Sequence, residues 1–140
     1  MRRAAAAGVH ILNDVSALAH DPVSMRAAAE TRLAVVLMHS LGDPREMQKD
    51  PRYDNVLLDI FDVLDARVEA CVRAGIPRSR IIVDPGIGFG KTVDHNLALL
   101  AGLSQFHGLG TAILLGASRK SFIGRLDGSP PEDRLGGTIA

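Results

Sequence analysis

The segment that says most about the fold is Ile81-Ile82-Val83-Asp84-Pro85-Gly86-Ile87-Gly88-Phe89-Gly90-Lys91-Thr92. Its opening run of apolar β-branched residues is typical of a strand that is buried on both faces, as in a parallel sheet. Asp84 places a carboxylate at the end of that strand. The glycines that follow let the backbone turn sharply and approach a bound molecule closely. The segment therefore predicts a buried strand that leads into a ligand-binding loop.

Two well-known phosphate-binding motifs resemble this loop, and neither fits it. A P-loop requires glycine at the position of Pro85, and the dinucleotide fingerprint requires glycine at the position of Lys91. Two alternatives stay open from these residues alone: a degenerate nucleotide-binding loop, and a tight strand-to-helix turn that binds nothing.

Strands and helices are predicted to alternate along the whole chain. The apolar runs predict strands at 9–14, 33–38, 81–83 and 111–115, and the helical spacing predicts helices at 22–32, 55–74 and 94–106, with a helix end at 4–7 and a helix start at Pro130. Strict alternation predicts a parallel sheet with helical crossovers. Polar residues follow the strands at their carboxyl ends, where (β/α)8 barrels and open α/β sheets bind ligands.

The predicted fold class is α/β, a partial (β/α)8 TIM-type barrel of about four strand–helix units. A complete barrel of this type needs roughly 250 residues, whereas this chain has 140. We expect a single domain over residues 1–140, truncated within a helix at both ends. A small open α/β domain is the alternative architecture.

Composition excludes several classes of function. The 16 basic and 16 acidic residues give a net charge of zero, so the chain lacks the basic surplus that binds nucleic acid or an anionic membrane. Cys71 is the single cysteine, which excludes an intrachain disulfide and a cysteine-based zinc site, and we expect it to be a core residue. The histidines show no metal-ligand spacing, and no apolar run reaches the length of a membrane span. These features predict a soluble protein of the reducing cytoplasm.

Four motifs resemble those of the dihydropteroate synthase family in order and approximate spacing. They are Asn13-Asp14-Val15, Met38-His39 followed by Gly42 and Pro44, the run from Asp84 to Lys91, and Ser118-Arg119-Lys120-Ser121. The resemblance runs from end to end and matches the fourth to seventh strands of that family's barrel. Other pterin-binding barrels, such as corrinoid-linked methyltransferase domains, share the fold but lack the pairing of the last two motifs.

The resemblance implies an activity and its requirements. The family condenses 6-hydroxymethyl-7,8-dihydropterin diphosphate with 4-aminobenzoate to give 7,8-dihydropteroate and pyrophosphate in folate biosynthesis, and it is the target of sulfonamides. It implies Mg²⁺, whose ligand on the first strand lies outside this chain, small-molecule substrates as partners, and a homodimer for full-length members. We expect the isolated chain to be inactive and to self-associate or aggregate. The alternative is a catalytically silent pterin-binding module.

Three residues suit the recognition of a pterin. Asp84 can accept two parallel hydrogen bonds from the amino-pyrimidine edge, and Asn13 offers both a donor and an acceptor to a mixed heterocycle edge. Lys120 can donate to the pterin carbonyl and ring nitrogen and adds positive charge near the diphosphate. We expect Asp84 and Lys120 to be the catalytic pair. The structural alternatives are a loop cap for Asp84, an Asx turn for Asn13 and a solvated side chain for Lys120.

Further residues complete the expected site. Phe89 would form an apolar wall for the aminobenzoate ring, and Ser121, at a helix start, would bind its carboxylate or simply cap the helix. Met38 and Gly116 are assigned to the pterin wall by resemblance alone. We expect Lys91 to be structural, and His39 to be a supporting hydrogen-bonding residue.

Overall fold

A computed structural model describes residues 1–42 and 47–140 of the chain. Pro44, part of the second motif above, lies outside the described residues. The helices are α1 (Arg2–Ala6), α2 (Ser24–Thr31), α3 (Val56–Arg73), α4 (Val93–Ala101), α5 (Ser121–Asp127) and α6 (Leu135–Ile139), and the strands are β1 (Ile11–Asp14), β2 (Ala34–Met38), β3 (Ile81–Asp84) and β4 (Ala112–Ile113). Short 3-10 turns span Arg78–Arg80, Leu103–Leu109 and Pro131–Asp133.

The four strands form one parallel sheet in the order of the sequence, β1-β2-β3-β4. A doubly wound open sheet reverses its strand order at a switch point, whereas a (β/α)8 barrel adds each new strand beside the last. The sequential order is therefore that of an arc of a barrel, as the alternation of elements predicts.

One face of the sheet packs against the helices. The strand residues on this face are Leu12, Val35, Leu37, Ile81 and Val83, and they share a buried cluster with Ile60, Leu64, Val68 and Cys71 of α3. Helix α3 begins where the sequence predicts, because the Asn55 side chain accepts hydrogen bonds from the first free backbone N–H groups of the helix. Cys71 is fully buried, so its predicted place in the core is confirmed.

The opposite face carries the residues expected to bind substrate. Because side chains alternate along a strand, the residues between the core positions point to this second face. Met38 and Asp84 are register partners at the carboxyl ends of β2 and β3, and Asn13 of β1 is the partner of Val36. The sheet therefore directs Asn13, Met38 and Asp84 toward one side.

Several element boundaries differ from the prediction, including that of β1, which begins at Ile11 rather than at residue 9, and those of α2, which spans Ser24–Thr31 rather than 22–32. Strand β4 covers Ala112–Ile113 rather than 111–115, because among the described strands it pairs with β3 alone. Helix α4 stops at Ala101, since Gly102 packs closely on Leu57, and a 3-10 turn continues to Leu109. The prolines at 130 and 131 start a 3-10 turn before α6 begins at Leu135. No helix among the described residues is long and apolar enough to cross a membrane.

Candidate active site

Asp84 is the buried centre of the candidate site. Its side chain is at the end of β3, only 6 % of the residue is exposed, and Oδ1 accepts a hydrogen bond of 2.7 Å from the Gly86 N–H. Oδ2 is directed toward Gly116, at 3.8 Å from the position that a Cβ on this glycine would take. Burial raises the pKa of Asp84, while the Gly86 N–H and the positive charges of Lys120 and Lys91 act against that rise. The carboxylate therefore has one oxygen fixed by the loop and a second beside a residue without a side chain.

The loop after Asp84 is held through three successive carbonyl groups. The Gln48 side-chain amide donates to the Gly88 carbonyl, Lys91 donates to the Phe89 carbonyl, and the Tyr53 hydroxyl donates to the Gly90 carbonyl. Because two side chains from the segment between β2 and α3 and one from the end of the loop itself hold its backbone, this loop has one defined shape rather than that of a free surface turn.

Gly86 is required for the same loop to lie against β2. Its φ is +71°, and a Cβ at this position would lie 1.9 Å from the His39 carbonyl oxygen. The His39 N–H in turn donates to the Asp84 carbonyl across 2.9 Å. No residue with a side chain fits between these two backbones, which explains the first glycine of the motif in physical terms.

His39 and Lys91 form a buried pair behind Asp84. Lys91 is 2 % exposed, and its ammonium nitrogen lies 3.1 Å from His39 Nδ1 and 2.8 Å from the Phe89 carbonyl oxygen. Burial lowers the pKa of His39 to about 4, with the Lys91 charge contributing. Burial also lowers the pKa of Lys91 to about 7. The negative charge of Asp84 acts against this lowering, and the positive charge of Lys120 adds to it. The expected supporting role of His39 agrees with this contact.

Lys120 and Phe89 lie together in front of the carboxylate. The Lys120 ammonium nitrogen is 4.1 Å from the centroid of the Phe89 ring, within the range of a cation–π interaction. The Lys120 stem passes over Gly88, where a Cβ would lie 3.3 Å from its Cδ. Partial burial lowers the pKa of Lys120, and the negative charge of Asp84 raises it. These two residues and Asp84 form one group although they are far apart in the sequence.

The remaining predicted site residues differ in their distance from Asp84. Met38 is buried beside Asp84, as the register requires, whereas Asn13 is exposed at the end of β1 with β2 between it and Asp84. Ser121 is the first residue of α5 and is exposed, while the N-cap position belongs to Lys120 and has no side-chain capping bond. The alternative role of Ser121 as an N-cap is therefore wrong, because the helix starts one residue earlier than that role requires.

Sequence reasoning did not find Gln48 or Tyr53. Both belong to the long segment between β2 and α3, whose length alone suggests a functional loop. Nothing in the sequence indicates which of its side chains reaches back to the glycines after β3. The open cleft of about 570 Å³ next to Tyr53 lies at the amino-terminal ends of α3 and α4, away from Asp84, and we assign it no ligand.

Comparison with known proteins gives a consistent result over the whole chain. Residues 1–140 match a family model described as "Pterin binding enzyme". A dihydropteroate synthase of Escherichia coli strain K12 is 43 % identical over 140 residues, which are 100 % of this chain and 49 % of that protein. The chain thus spans about half the length of the curated relatives that it matches.

Solved structures support the fold directly. A dihydropteroate synthase of Yersinia pestis in complex with a sulfonamide drug superimposes with a TM-score of 0.91 at 44 % identity, over 95 % of this chain and 48 % of the other. A dihydropteroate synthase of Xanthomonas albilineans with 4-aminobenzoic acid gives a TM-score of 0.91 at 42 % identity, over 99 % of this chain and 48 % of the other. The predicted partial (β/α)8 barrel is thereby confirmed.

Proposed function

The chain belongs to the pterin-binding enzyme family, and on this premise we propose that it serves the reaction of dihydropteroate synthase. In that reaction 6-hydroxymethyl-7,8-dihydropterin diphosphate condenses with 4-aminobenzoate, and 7,8-dihydropteroate and pyrophosphate are formed. The observation that carries the proposal is the buried carboxylate of Asp84, which has one oxygen tied to Gly86 and the other directed toward Gly116, with Lys120 nearby.

Asp84 is assigned the amino-pyrimidine edge of the pterin. A buried carboxylate that receives two N–H donors makes charge-assisted hydrogen bonds, which are about twice as strong as neutral ones. Met38, the register partner of Asp84, and Gly116 form the walls beside the flat ring. Asn13 supplies a donor and an acceptor from the end of β1.

Lys120 and Phe89 are assigned to the side where the two substrates meet. Lys120 donates to the pterin carbonyl and ring nitrogen and stabilises the charge of the departing pyrophosphate. Phe89 provides an apolar wall for the aminobenzoate ring, and Ser121 binds its carboxylate. The Xanthomonas albilineans relative holds 4-aminobenzoic acid and the Yersinia pestis relative a sulfonamide drug, and this supports the assignment of these two ligand classes.

No strong base is needed for this chemistry. Pyrophosphate leaves first, the pterin stabilises the resulting cation, and the neutral arylamine attacks it. The residues of this chain hold the flat ring in place, place a cation near the departing charge and shield the reacting centre from water. The candidate site has one carboxylate, that of Asp84, and the two lysines Lys91 and Lys120. Within the described part of the chain it pairs no nucleophile with a base, which fits a reaction that needs no proton abstraction.

Magnesium enters the proposal through family resemblance alone. Among residues 1–42 and 47–140 there is no group of three or more His, Cys, Asp or Glu side chains that could hold a metal ion. The described residues therefore do not fit a Mg²⁺ site, no step above involves the ion, and we propose that its ligands lie outside this chain. A homodimer, a cytoplasmic location and sensitivity to sulfonamides are further parts of the proposal.

Binding of the pterin to this chain tests the proposal. The probe is 6-hydroxymethylpterin, and the readout is the set of backbone amide shifts of residues 1–140, labelled with ¹⁵N, within a complete barrel in which they replace the aligned segment of the Escherichia coli relative. We expect the largest shifts at Asp84, Gly116 and Lys120, and we expect Asp84→Asn to remove them. Asp94→Asn is the matched control, because Asp94 is an exposed carboxylate in the first turn of α4. Shifts that are equal in the two variants would exclude the proposed pterin site.

A catalytically silent pterin-binding module is the second candidate. It would show the same shifts, so binding alone does not separate it from an enzyme. Pyrophosphate release that depends on both substrates, measured in a complete barrel, distinguishes the two.

A further inference from the structure

The proposed reaction assigns no role to Lys91, the last residue of the loop motif. It is a lysine buried to 2 % exposure, and within residues 1–42 and 47–140 its ammonium hydrogen bonds to two neutral groups, His39 Nδ1 and the Phe89 carbonyl, with no ion pair to a carboxylate of that part of the chain. Burying a cation without a direct ionic contact is costly. A purely structural contact between these groups could be made by a smaller polar side chain at lower cost.

His39 gives Lys91 a fixed point of attachment. The backbone N–H of His39 donates to the Asp84 carbonyl, so the backbone that carries the imidazole ring is joined to the end of β3 as well as to β2. Because burial and the charge of Lys91 lower the pKa of His39 to about 4, the ring is neutral at neutral pH. An ammonium that donates to Nδ1 then places the ring proton on Nε2.

The other contact of Lys91 fixes the direction of Phe89. Lys91 holds the Phe89 carbonyl inward, and the Phe89 side chain is directed outward. The Phe89 ring then lies under the Lys120 ammonium. Tyr53 and Gln48 hold the carbonyls on either side, at Gly90 and Gly88. Of these three donors, Lys91 is the buried one. It is also the one that donates to the carbonyl of Phe89, the loop residue whose ring lies in the candidate site.

We propose that Lys91 is a positioning residue of the candidate site, which holds the Phe89 backbone against His39 so that the Phe89 ring supports Lys120 beside Asp84. This inference rests on the proposed function for its purpose, but the contacts that carry it do not depend on the ligand. It predicts that the orientation of Phe89 and the place of Lys120 change together when the ammonium of Lys91 is removed.

Nuclear magnetic resonance tests this link directly in a complete barrel, in which residues 1–140 replace the aligned segment of the Escherichia coli relative. The readouts are the ring-to-side-chain NOEs between Phe89 and Lys120 and the ¹⁵N shift of His39 Nδ1. In Lys91→Met we expect the NOEs to be lost and the Nδ1 resonance to move, because the stem remains but the donor is gone. Lys91→Arg keeps a donor and should restore part of the NOE intensity. Arg73→Met, which removes an exposed cation from α3, should leave both readouts as in the wild-type chain.

A second measurement decides the matter if Lys91→Met does not fold. In the part of the chain that the structure describes, the charged and titratable groups that face Lys91 are Asp84 from β3, His39 from the end of β2 and Lys120 from the start of α5. With a Lys91 pKa of about 7, the ¹³C resonance of the Phe89 carbonyl should titrate near neutral pH in the wild-type chain. It should not titrate there in Lys91→Arg, whose guanidinium stays charged.

The outcomes separate this proposal from the proposed function. Unchanged Phe89–Lys120 NOEs in a folded Lys91→Met chain overturn the positioning role even if the pterin binds. A Phe89 carbonyl shift that stays flat over the pH range in which the ¹⁵N shift of Lys91 Nζ itself titrates overturns it as well. If the NOEs are lost but 6-hydroxymethylpterin causes no shifts in the wild-type chain, the positioning role is supported and the proposed function fails.

Discussion

The Lys120 ammonium nitrogen lies 4.1 Å from the centroid of the Phe89 ring, on its face. An aromatic face attracts a cation by about 0.5–1 kcal/mol at an exposed site and more where water is excluded. The proposed function therefore gives Phe89 two tasks: its ring would be a wall for one substrate and a support for the lysine that would contact the other.

Phe89→Ala should affect both substrates unequally. Loss of the wall should raise the KM for 4-aminobenzoate about tenfold or more, since an aromatic contact and its burial disappear. Loss of the cation–π contact should raise the KM for the pterin only about two- to fivefold. The measurement is steady-state kinetics in a hybrid enzyme, in which residues 1–140 replace the aligned segment of the Escherichia coli relative. Equal effects on the two substrates would mean that Phe89 only shapes the loop.

Asp84→Asn should weaken pterin binding by roughly 1–3 kcal/mol, because a buried charge-assisted pair of hydrogen bonds is replaced by neutral ones. Isothermal calorimetry of the hybrid enzyme with the pterin measures this change. Asp94→Asn, an exposed carboxylate on α4, serves as the control and should leave affinity as it is. An affinity for the Asp84 variant equal to that of the control would contradict the role of Asp84.

Gly86→Ala and Gly128→Ala form a matched pair for the backbone of the loop. Both glycines have positive φ, +71° and +78°, but a Cβ at Gly86 would lie 1.9 Å from the His39 carbonyl oxygen, whereas a Cβ at Gly128 has no heavy atom within 4 Å. Strain alone at Gly128 should cost about 1 kcal/mol of the free energy of unfolding. Gly86→Ala should cost several kcal/mol or prevent folding. Urea unfolding curves compare them, and similar losses would show that the close approach at Gly86 is not tight.

Stability should rise with pH in two windows. The pKa of His39 is lowered from 6.5 to about 4, and that of Lys91 from 10.5 to about 7. In each window the unfolded chain binds more protons than the folded one, so the free energy of unfolding increases with pH. For each group, the cost of burying its charge is fully present below the pKa of the folded chain. That cost is absent above the pKa of the unfolded chain, where the group is neutral in both states.

Variants isolate the two groups in urea unfolding measured from about pH 4 to pH 10. His39→Gln should remove the lower rise and Lys91→Met the upper one, each on the order of a few kcal/mol, since one pKa unit corresponds to about 1.4 kcal/mol. Burial raises the pKa of Asp84 above 3.8, which works in the opposite direction in acid, so the difference between each variant and the wild-type chain is the quantity to compare. A wild-type curve that falls between pH 7 and pH 10 would exclude a neutralised Lys91.

Much of the fold and part of the site follow from the sequence for identifiable reasons. Local periodicity predicts three features of the fold: the strand at 81–83, the helix α3 and the alternation of strands and helices. Tertiary contacts agree with this local periodicity in the folded chain. Asp84 could be predicted because a charged residue directly after a buried strand needs a reason to be there. Parallel register then brings Met38 beside it.

The parts that could not be predicted depend on long-range contacts. Tyr53 reaches Gly90 and Gln48 reaches Gly88 across about forty positions of sequence, and no local pattern reports such a distance. The contact of Lys91 with His39 is of the same kind, joining the ends of two neighbouring strands. Strand β4 is shorter than its apolar run suggests, because its length depends on the pairing available to it rather than on composition.

Pyrophosphate release by the hybrid enzyme tests the central claim most directly. With residues 1–140 in place of the segment of the Escherichia coli enzyme to which they are 43 % identical, we expect release that requires both 6-hydroxymethyl-7,8-dihydropterin diphosphate and 4-aminobenzoate. The release should fall about fivefold to 150-fold in Asp84→Asn, as expected for about 1–3 kcal/mol, and should be unchanged in Asp94→Asn. A folded hybrid that binds the pterin without releasing pyrophosphate, or one whose release is indifferent to Asp84→Asn, would contradict the account.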